Sequence, residues 1–317
     1  MTALSIGIVM DPIADITIKK DTSFAMLLEA QRRGYTIHYM EMADLYLLEG
    51  QARARTRLLM VEEDPTNWYQ FGQQQDIALG DLDAILMRKD PPFDTEYIYA
   101  TYMLELAEQQ GCLIVNKPQS LRDANEKLYT SWFSQYTPKT LVSRDSARLK
   151  AFWQQHQDVI IKPLDGMGGA SIFRLKADDP NVGVVLETLT GHNSRYAMAQ
   201  QFVPAISEGD KRILMVNGEP IPYVLARIPA KGETRGNLAA GGRGEVRPLS
   251  DTDRAIAEAV GPTLKAKGLI FVGLDIIGDK LTEINVTSPT CVREIEAEAP
   301  VHITGQLFDA IEQLLGQ

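Results

Sequence analysis

Residues Phe271–Pro289 read FVGLDIIGDKLTEINVTSP. Two apolar runs, Phe271–Ile277 and Leu281–Val286, flank a turn at Gly278–Asp279–Lys280, the pattern of a β-hairpin. Residues i and i+2 of a strand share a face, so Glu283 and Asn285 point the same way from a strand whose composition asks for burial. A carboxylate there is costly unless a cation or donor meets it. Asp275, on the first strand, is a third oxygen donor, and the turn decides which face it takes. A two-residue turn would pair Asp275 with Thr282 and aim it away from Glu283. A three-residue turn pairs Ile277 with Leu281, and Asp275 with Glu283, on one face; this second register is the expectation. Facing carboxylates repel unless a divalent cation lies between them. Oxygen donors without Cys or His suit Mg²⁺, which takes one or two carboxylates together with nucleotide phosphates. The blander alternative, Glu283 paired with an arginine, is weaker, because strands seldom bury three oxygen-bearing side chains without cause.

Upstream, IIKPLDGMGGASIFRL (Ile160–Leu175) sets Lys162 at the end of an apolar strand, followed by a loop with Gly166, Gly168 and Gly169 and then a second strand. Glycines let backbone N–H groups approach an anion closely. The loop lacks the GK[ST] of a P-loop and leads into a strand rather than a helix, so neither the P-loop nor the Rossmann fingerprint is met. An ordinary glycine-rich hairpin is the plain alternative; the buried-looking ammonium of Lys162, which needs an anionic partner, favours a site. Between these stretches lies IPAKGETRGNLAAGGRGE, Ile228–Glu245, with five glycines. Such composition forms no packed element and reads either as a linker or as a lid over reacting groups, with Arg235 and Arg243 meeting phosphate or carboxylate. Arg212 and Arg227, on flanking strands, add positive charge beside the proposed metal face.

Toward the N-terminus the texture alternates. Leu4–Met10 is a strand, Asp21 caps a helix that ends at Gly34, and Tyr35–Met40 is the next strand. Ala84–Met87, a helix over Thr95–Gln110 and Cys112–Val115 continue a doubly wound α/β pattern. Gln51–Gly80 is polar with little period and reads as a long loop with helical turns. A helix over Leu121–Ser134 follows Pro118, and beyond it short strands joined by Gly and Pro turns mark an α+β remainder that splits near Pro204. The 317 residues exceed what one core usually serves. A net charge of −10 without a basic block argues against nucleic acid as the main partner. No apolar run suits a bilayer span, and the start MTALSIGIVMDP lacks the layout of a signal peptide. Two distant cysteines, Cys112 and Cys291, suggest neither a disulfide framework nor a zinc site, and point to a reducing compartment. The four histidines fall in no catalytic spacing, and GxSxG and HExxH are absent.

The order of parts resembles an ATP-grasp ligase: a lysine, Lys-Pro with a glycine-rich loop, MAQQFVP, then Asp…Glu-x-Asn. More closely, MDPIADITIKKDTSFAMLLEAQRRGY, MRKDPPFDTEYIYATY, NKPQSLRDANEKL, KPLDGMGGASIFR, ARIPAKGETRGNLAAGGRGE and GLDIIGDKLTEINVTSPT resemble the bacterial glutathione synthetase family over nearly the whole length. The resemblance implies a Rossmann-like N-terminal domain (1–121), then an ATP-grasp domain with a central lobe (122–203) and a C-terminal lobe (204–317) carrying a glycine-rich lid (228–245). It implies an ATP-dependent ligase that joins γ-glutamylcysteine to glycine through an acyl phosphate. Its motifs assign the nucleotide phosphates to Lys127, Lys162 and the loop Gly166, Met167, Gly168 and Gly169, and the adenine slot to Gln200, Gln201 and Phe202. They put Asp210 near the ribose and the metal, Mg²⁺ with Mn²⁺ as a substitute, on Asp275, Glu283 and Asn285, the last also beside ATP. Arg212 and Arg227 are implied as catalytic; Arg88, Arg235, Ser288, Pro289 and Thr290 as peptide-binding. The family is cytosolic and its bacterial members are commonly homotetramers. Alternatives are a related carboxylate–amine ligase for another substrate pair and a non-catalytic ATP-binding protein.

Overall fold

The computed structural model describes residues 3–316 apart from Thr234, Asn237, Ala239 and Ala240. Three sheets organise it. The first contains β1 (Ser5–Val9), β2 (Thr36–Met40), β3 (Leu45–Leu48), β4 (Gln51–Val61), β5 (Tyr69–Ala78), β6 (Ala84–Met87) and β7 (Leu113–Val115). Their order is β3-β4-β2-β1-β6-β7, with β5 also paired to β4. β1, β2, β6 and β7 run parallel, crossed by α1 (Thr22–Arg32) and α2 (Thr95–Gln109). The Asp21 side chain accepts from the Phe24 N–H at 2.6 Å and starts α1; Asp94 does the same for α2 through the Tyr97 N–H. Gly34, at φ 76°, supplies the left-handed residue that stops α1.

Gln51–Gly80 is not the expected loop but the long antiparallel pair β4–β5. In β4 the inward positions are Ala52, Ala54, Thr56, Leu59 and Val61, alternating with Arg53, Arg55 and Arg57 over its first half. The period of two is present, but small alanines carry it too faintly to stand out as apolar.

The second sheet holds β8 (Thr140–Ser143), β9 (Asp158–Pro163), β10 (Phe173–Lys176) and β11 (Ala197–Gln201), in the order β10-β9-β11-β8. The chain reaches it through α3 (Pro118–Asp123) and a 3₁₀ stretch, Leu128–Tyr136. The single helix expected over Leu121–Ser134 is therefore broken. Asn125 Oδ1 accepts the N–H groups of Lys127 and Leu128, a local turn that competes with helical bonding. Helices α4 (Ser146–His156) and α5 (Val182–Thr190) cover this sheet. Leu149, Val159, Ile161, Leu175, Leu186 and Ala199 form part of a core confined to this lobe.

The third sheet comprises β12 (Asp210–Val216), β13 (Glu219–Ile228), β14 (Arg243–Pro248), β15 (Phe271–Ile277) and β16 (Lys280–Asn285), in the order β14-β13-β12-β15-β16. It packs with α6 (Asp251–Ala266), α7 (Val292–Glu298) and α8 (Ile303–Leu314). Its buried side chains merge with those of the first sheet: Val9 and Met87 share one cluster with Ile213 and Val272, Ile8 and Leu86 another with Leu214 and Phe271. Asn116 joins the two at their edge. Its Nδ2 donates to Phe271 O and Val286 O, each at 2.7 Å, and its Oδ1 accepts from the Phe271 N–H at 2.8 Å.

The β15–β16 hairpin reaches the expected facing by another route. Its turn has two residues, Ile277 pairing with Lys280, and a bulge follows: Ile276 pairs with Leu281, then Asp275 with Glu283. Thr282 is the extra residue, and its Oγ1 donates to Asp275 O at 3.1 Å. A bulge, like a longer turn, flips the facing of everything beyond it. The lid reading of 228–245 also needs correction at its ends, since Ile228 pairs with Arg243 and Ala226 with Glu245 in regular strands. Thr234, Asn237, Ala239 and Ala240, in the middle of that stretch, lie outside the described residues.

Candidate active site

One face of the third sheet carries a checkerboard of charge. Cross-strand pairing sets Asp210 opposite Arg227, Arg212 opposite Asp275 and Asp275 opposite Glu283. Strand alternation brings Arg212 to the side of Asp210 and Asn285 to that of Glu283. The guanidinium of Arg212 grips Asp275 with both prongs, Nε–Oδ1 2.5 Å and Nη2–Oδ2 3.0 Å. Arg227 Nη2 reaches Asp210 Oδ2 at 2.6 Å and Asp275 Oδ2 at 2.9 Å. Arg212, Arg227 and Asp275 are buried, whereas Asp210, Glu283 and Asn285 are partly exposed. Burial works to raise the Asp275 carboxyl, but Arg212 and Arg227 outweigh it and hold the group well below the usual carboxylate range. Asp210 goes the other way: burial, resisted by Arg227 but reinforced by Asp275 and Glu283, pushes it up to about 7.

Two lysines face this sheet from the central lobe. Lys127 Nζ donates to Gly166 O and stands 3.6 Å from Glu283 Oε1. Lys162, on β9, is 5% exposed, and among the described residues its ammonium has only one hydrogen-bond contact, a long 3.5 Å approach to Thr282 O. Burial lowers its pKa despite the attraction of Glu283. The loop between β9 and β10 carries Gly168 and Gly169 at φ 61° and 80° and a half-exposed Met167. On β11, Gln200 is buried and donates to Thr140 Oγ1, whereas Gln201 is exposed. Phe202 lies under the Arg174 guanidinium, 3.4 Å from the ring centre, and Arg174 is itself held by both oxygens of Asp158.

The segment after β16 meets the N-terminal sheet. Arg88 is buried, its Nη2 donating to Pro289 O at 3.0 Å and its Nε to Ser23 Oγ; its Nη1 has no partner among the described residues. Ser288 Oγ donates to Asp90, and Arg212 Nη1 approaches Thr290 O at 3.5 Å. Arg88, Ser288, Pro289, Thr290 and Arg212 thus converge, while Arg235 sits apart in the hairpin connection and pairs with Glu233 at 2.7 Å. Cys291, buried at the head of α7, has its thiol pushed up by burial.

The donor set fits a divalent cation. Among the described residues, Oδ2 of Asp275 receives Arg212, Arg227 and Asn285, but Oδ1 receives Arg212 alone and keeps acceptor capacity. Asn285 spends Nδ2 on Gly273 O and Asp275, leaving its carbonyl oxygen as an acceptor. Among the described residues no three His, Cys, Asp or Glu side chains cluster for a metal; two carboxylates and an amide suit an ion that completes its shell with phosphate oxygens.

Sequence reading passed over several residues that build this site. Glu126 Oε1 accepts from Val286 N–H, Thr287 N–H and Thr287 Oγ1. Asn116 and Asp90 hold the neighbouring backbone and Ser288. The run Asn125–Glu126–Lys127, polar and out of helical period, was the available signal.

Family models describe residues 4–122 as the N-terminal domain, and residues 126–300 as the ATP-grasp domain, of prokaryotic glutathione synthetase. The chain is 73% identical over 312 residues to the glutathione synthetase of Citrobacter rodentium, covering 98% of this chain and 99% of that one. It is 73% identical over 313 residues to that of Photorhabdus laumondii, with 98% and 99% covered. Among solved structures it is similar to D-cycloserine synthetase DcsG (TM-score 0.68, 15% identity, 98% of this chain and 100% of that). It is also similar to D-alanyl-alanine synthetase A of Vibrio cholerae (TM-score 0.60, 10% identity, 100% of both), which speaks for the fold alone. No helix among the described residues is long and apolar enough to cross a membrane. With both halves matched in order and relatives 73% identical over nearly its whole length, the chain belongs to the prokaryotic glutathione synthetase family.

Proposed function

We propose that the protein joins γ-glutamylcysteine to glycine at the expense of ATP, giving glutathione, ADP and phosphate. The observation that carries this reading is Lys162, a buried ammonium with no ion-pair partner within 4 Å among the described residues, aimed at a face that already balances its own carboxylates. Such a group asks for an anion from outside, and Lys127 beside it makes the anion a phosphate. In this reading the glycine-rich loop 166–169 covers the phosphates. Gln200, Gln201 and Phe202 line the adenine slot, and Asp210 lies toward the ribose. Asp275, Glu283 and Asn285 would hold the divalent cation, Mg²⁺ with Mn²⁺ as a substitute, which neutralises phosphate charge when bound.

A carboxylate does not accept an amine at neutral pH, because its oxygen leaves poorly. Transfer of the γ-phosphoryl group to the cysteinyl carboxylate gives an acyl phosphate with a good leaving group, and this step needs position and positive charge rather than covalent help. The amine of glycine then attacks the acyl carbon, phosphate leaves, and Arg212 and Arg227 stabilise the intervening oxyanion. Arg88, Ser288, Pro289 and Thr290 hold the peptide, and the 228–245 connection with Arg235 shields the intermediate from water. We further place the protein in the cytosol as a homotetramer, with lobes 1–121, 122–203 and 204–317, on the strength of the family likeness. The test is phosphate release with each of the dipeptide and glycine omitted in turn. Release requiring both, at one ADP per glutathione, is expected; steady release without glycine refutes the reading.

A further inference from the structure

We propose that Glu126 is a positioning residue that ties the peptide-holding segment Thr287–Thr290 to the nucleotide-binding lysine beside it. Three consecutive side chains reach three parts of the site. Asn125 Nδ2 donates to Leu164 O, at the root of the glycine-rich loop, at 3.2 Å. Glu126 Oε1 accepts from Val286 N–H (2.9 Å), Thr287 N–H (3.1 Å) and Thr287 Oγ1 (2.8 Å). The backbone of Glu126 adds a fourth tie, accepting from the Ile284 N–H at 2.8 Å. Lys127 then turns to Gly166 O and Glu283.

One carboxylate oxygen therefore fixes the chain where β16 ends, one residue past Asn285 and one before Ser288. These are charge-assisted bonds, the strong kind, and they fall on backbone donors that β16 leaves unpaired as it exits the sheet. The residues they fix lead directly to Ser288, Pro289 and Thr290, held from the other side by Asp90, Arg88 and Arg212. Because Lys127 follows Glu126 without an intervening residue, drawing Lys127 toward phosphate displaces the same short peptide that clamps Thr287. The inferred consequence is that nucleotide occupancy aligns the peptide's carboxylate with the phosphoryl donor. Glu126 touches no reacting atom, so it acts through this segment.

The inference rests on reading 287–290 as the peptide site, and two measurements separate the two. Hydrogen exchange is followed over residues 284–291 and 164–171 with and without Mg-ATP in the wild type, Glu126→Leu and Glu126→Gln, and steady-state constants are measured for each. The expected result is that Mg-ATP slows exchange in both segments of the wild type but only in 164–171 of Glu126→Leu. Its KM for γ-glutamylcysteine rises about tenfold to a hundredfold while that for ATP stays within about threefold. Glu126→Gln, which keeps an acceptor oxygen in place, recovers most of the loss, a rescue that a general packing defect would not show. If 284–291 responds to Mg-ATP equally in wild type and Glu126→Leu, the link is overturned. If the response is lost but the dipeptide KM is unchanged, the link stands and the peptide-site reading fails. Should Glu126→Leu not fold, Thr287→Val, which removes one of the three donors, must reproduce the same split in smaller measure or the proposal falls.

Discussion

Replacing Lys162 by methionine is expected to stabilise the empty protein and weaken it as a nucleotide binder, two effects of opposite sign from one atom group. The ammonium is 5% exposed with a single long contact among the described residues, and burial depresses its pKa below the ordinary 10.5, so the fold disfavours its charge. Exchanging a buried ion for an apolar side chain of similar length is worth about 1–3 kcal/mol. Glu283 is not stranded by the change, because it keeps Lys127 at 3.6 Å and a side chain 22% exposed to water. For a chain of this size that gain corresponds to roughly 1.5–5 °C in Tm. On the ligand side, losing a charge-assisted contact to phosphate costs about 1.5–3 kcal/mol, or roughly tenfold to a hundred-fold in Kd. Thermal melting with and without Mg-ATP reads both: the bare variant melts higher, and its nucleotide-induced shift shrinks. The pH dependence has a definite sign. Between the depressed folded pKa and 10.5 the unfolded chain binds more protons, so wild-type stability rises with pH through that window, and Lys162→Met removes this rise. A bare variant that melts lower than wild type, with its ATP shift intact, would show that Lys162 is an ordinary structural lysine.

Glu283→Gln should lower kcat about 10²–10³-fold and move the divalent-ion titration to higher concentration, with the dipeptide KM within about threefold; an unaltered metal dependence removes Glu283 from the cation. Gly273→Ala would set a methyl 2.8 Å from Arg212 Cδ and 3.0 Å from Pro289 Cβ. It should cost about 1–3 kcal/mol in a denaturant titration and displace the Arg212 grip on Asp275, with turnover falling in step. Deleting Ala239–Gly244, a stretch whose Ala239 and Ala240 lie outside the described residues, should leave ATP binding near normal but raise ADP release above product formation. Tight coupling in that variant contradicts the shielding role.

The parallel strands and their helices were legible because Ile, Val and Leu runs, Asp caps and terminal glycines all agreed. The β4–β5 pair was not, since alanine at alternate positions gives a weak inward signal and the glutamines of β5 give almost none. The candidate charges were legible one by one, as Lys162, Glu283 and Arg212 are costly residues in apolar strands. Their pairing was less so. That Asp275 faces Glu283 follows from the Thr282 bulge, which no local pattern announces, and that Asp275 is gripped by two arginines depends on strand order. Glu126 and Asn116 escaped because their partners are mostly backbone groups 155 to 170 residues away, and backbone leaves no mark in composition.

The β8–β11 sheet and its two helices keep their oily interior to themselves, whereas the other two sheets share theirs. A lobe built this way holds its shape on its own packing, while the segment that leads into it is anchored to the other two sheets through Glu126, Tyr129 and Phe133 and carries the buried Lys127 to the seam. The bed beneath is one continuous core, stapled at Asn116. Entry of the nucleotide and seating of the peptide thereby fall to different mechanical parts of one chain.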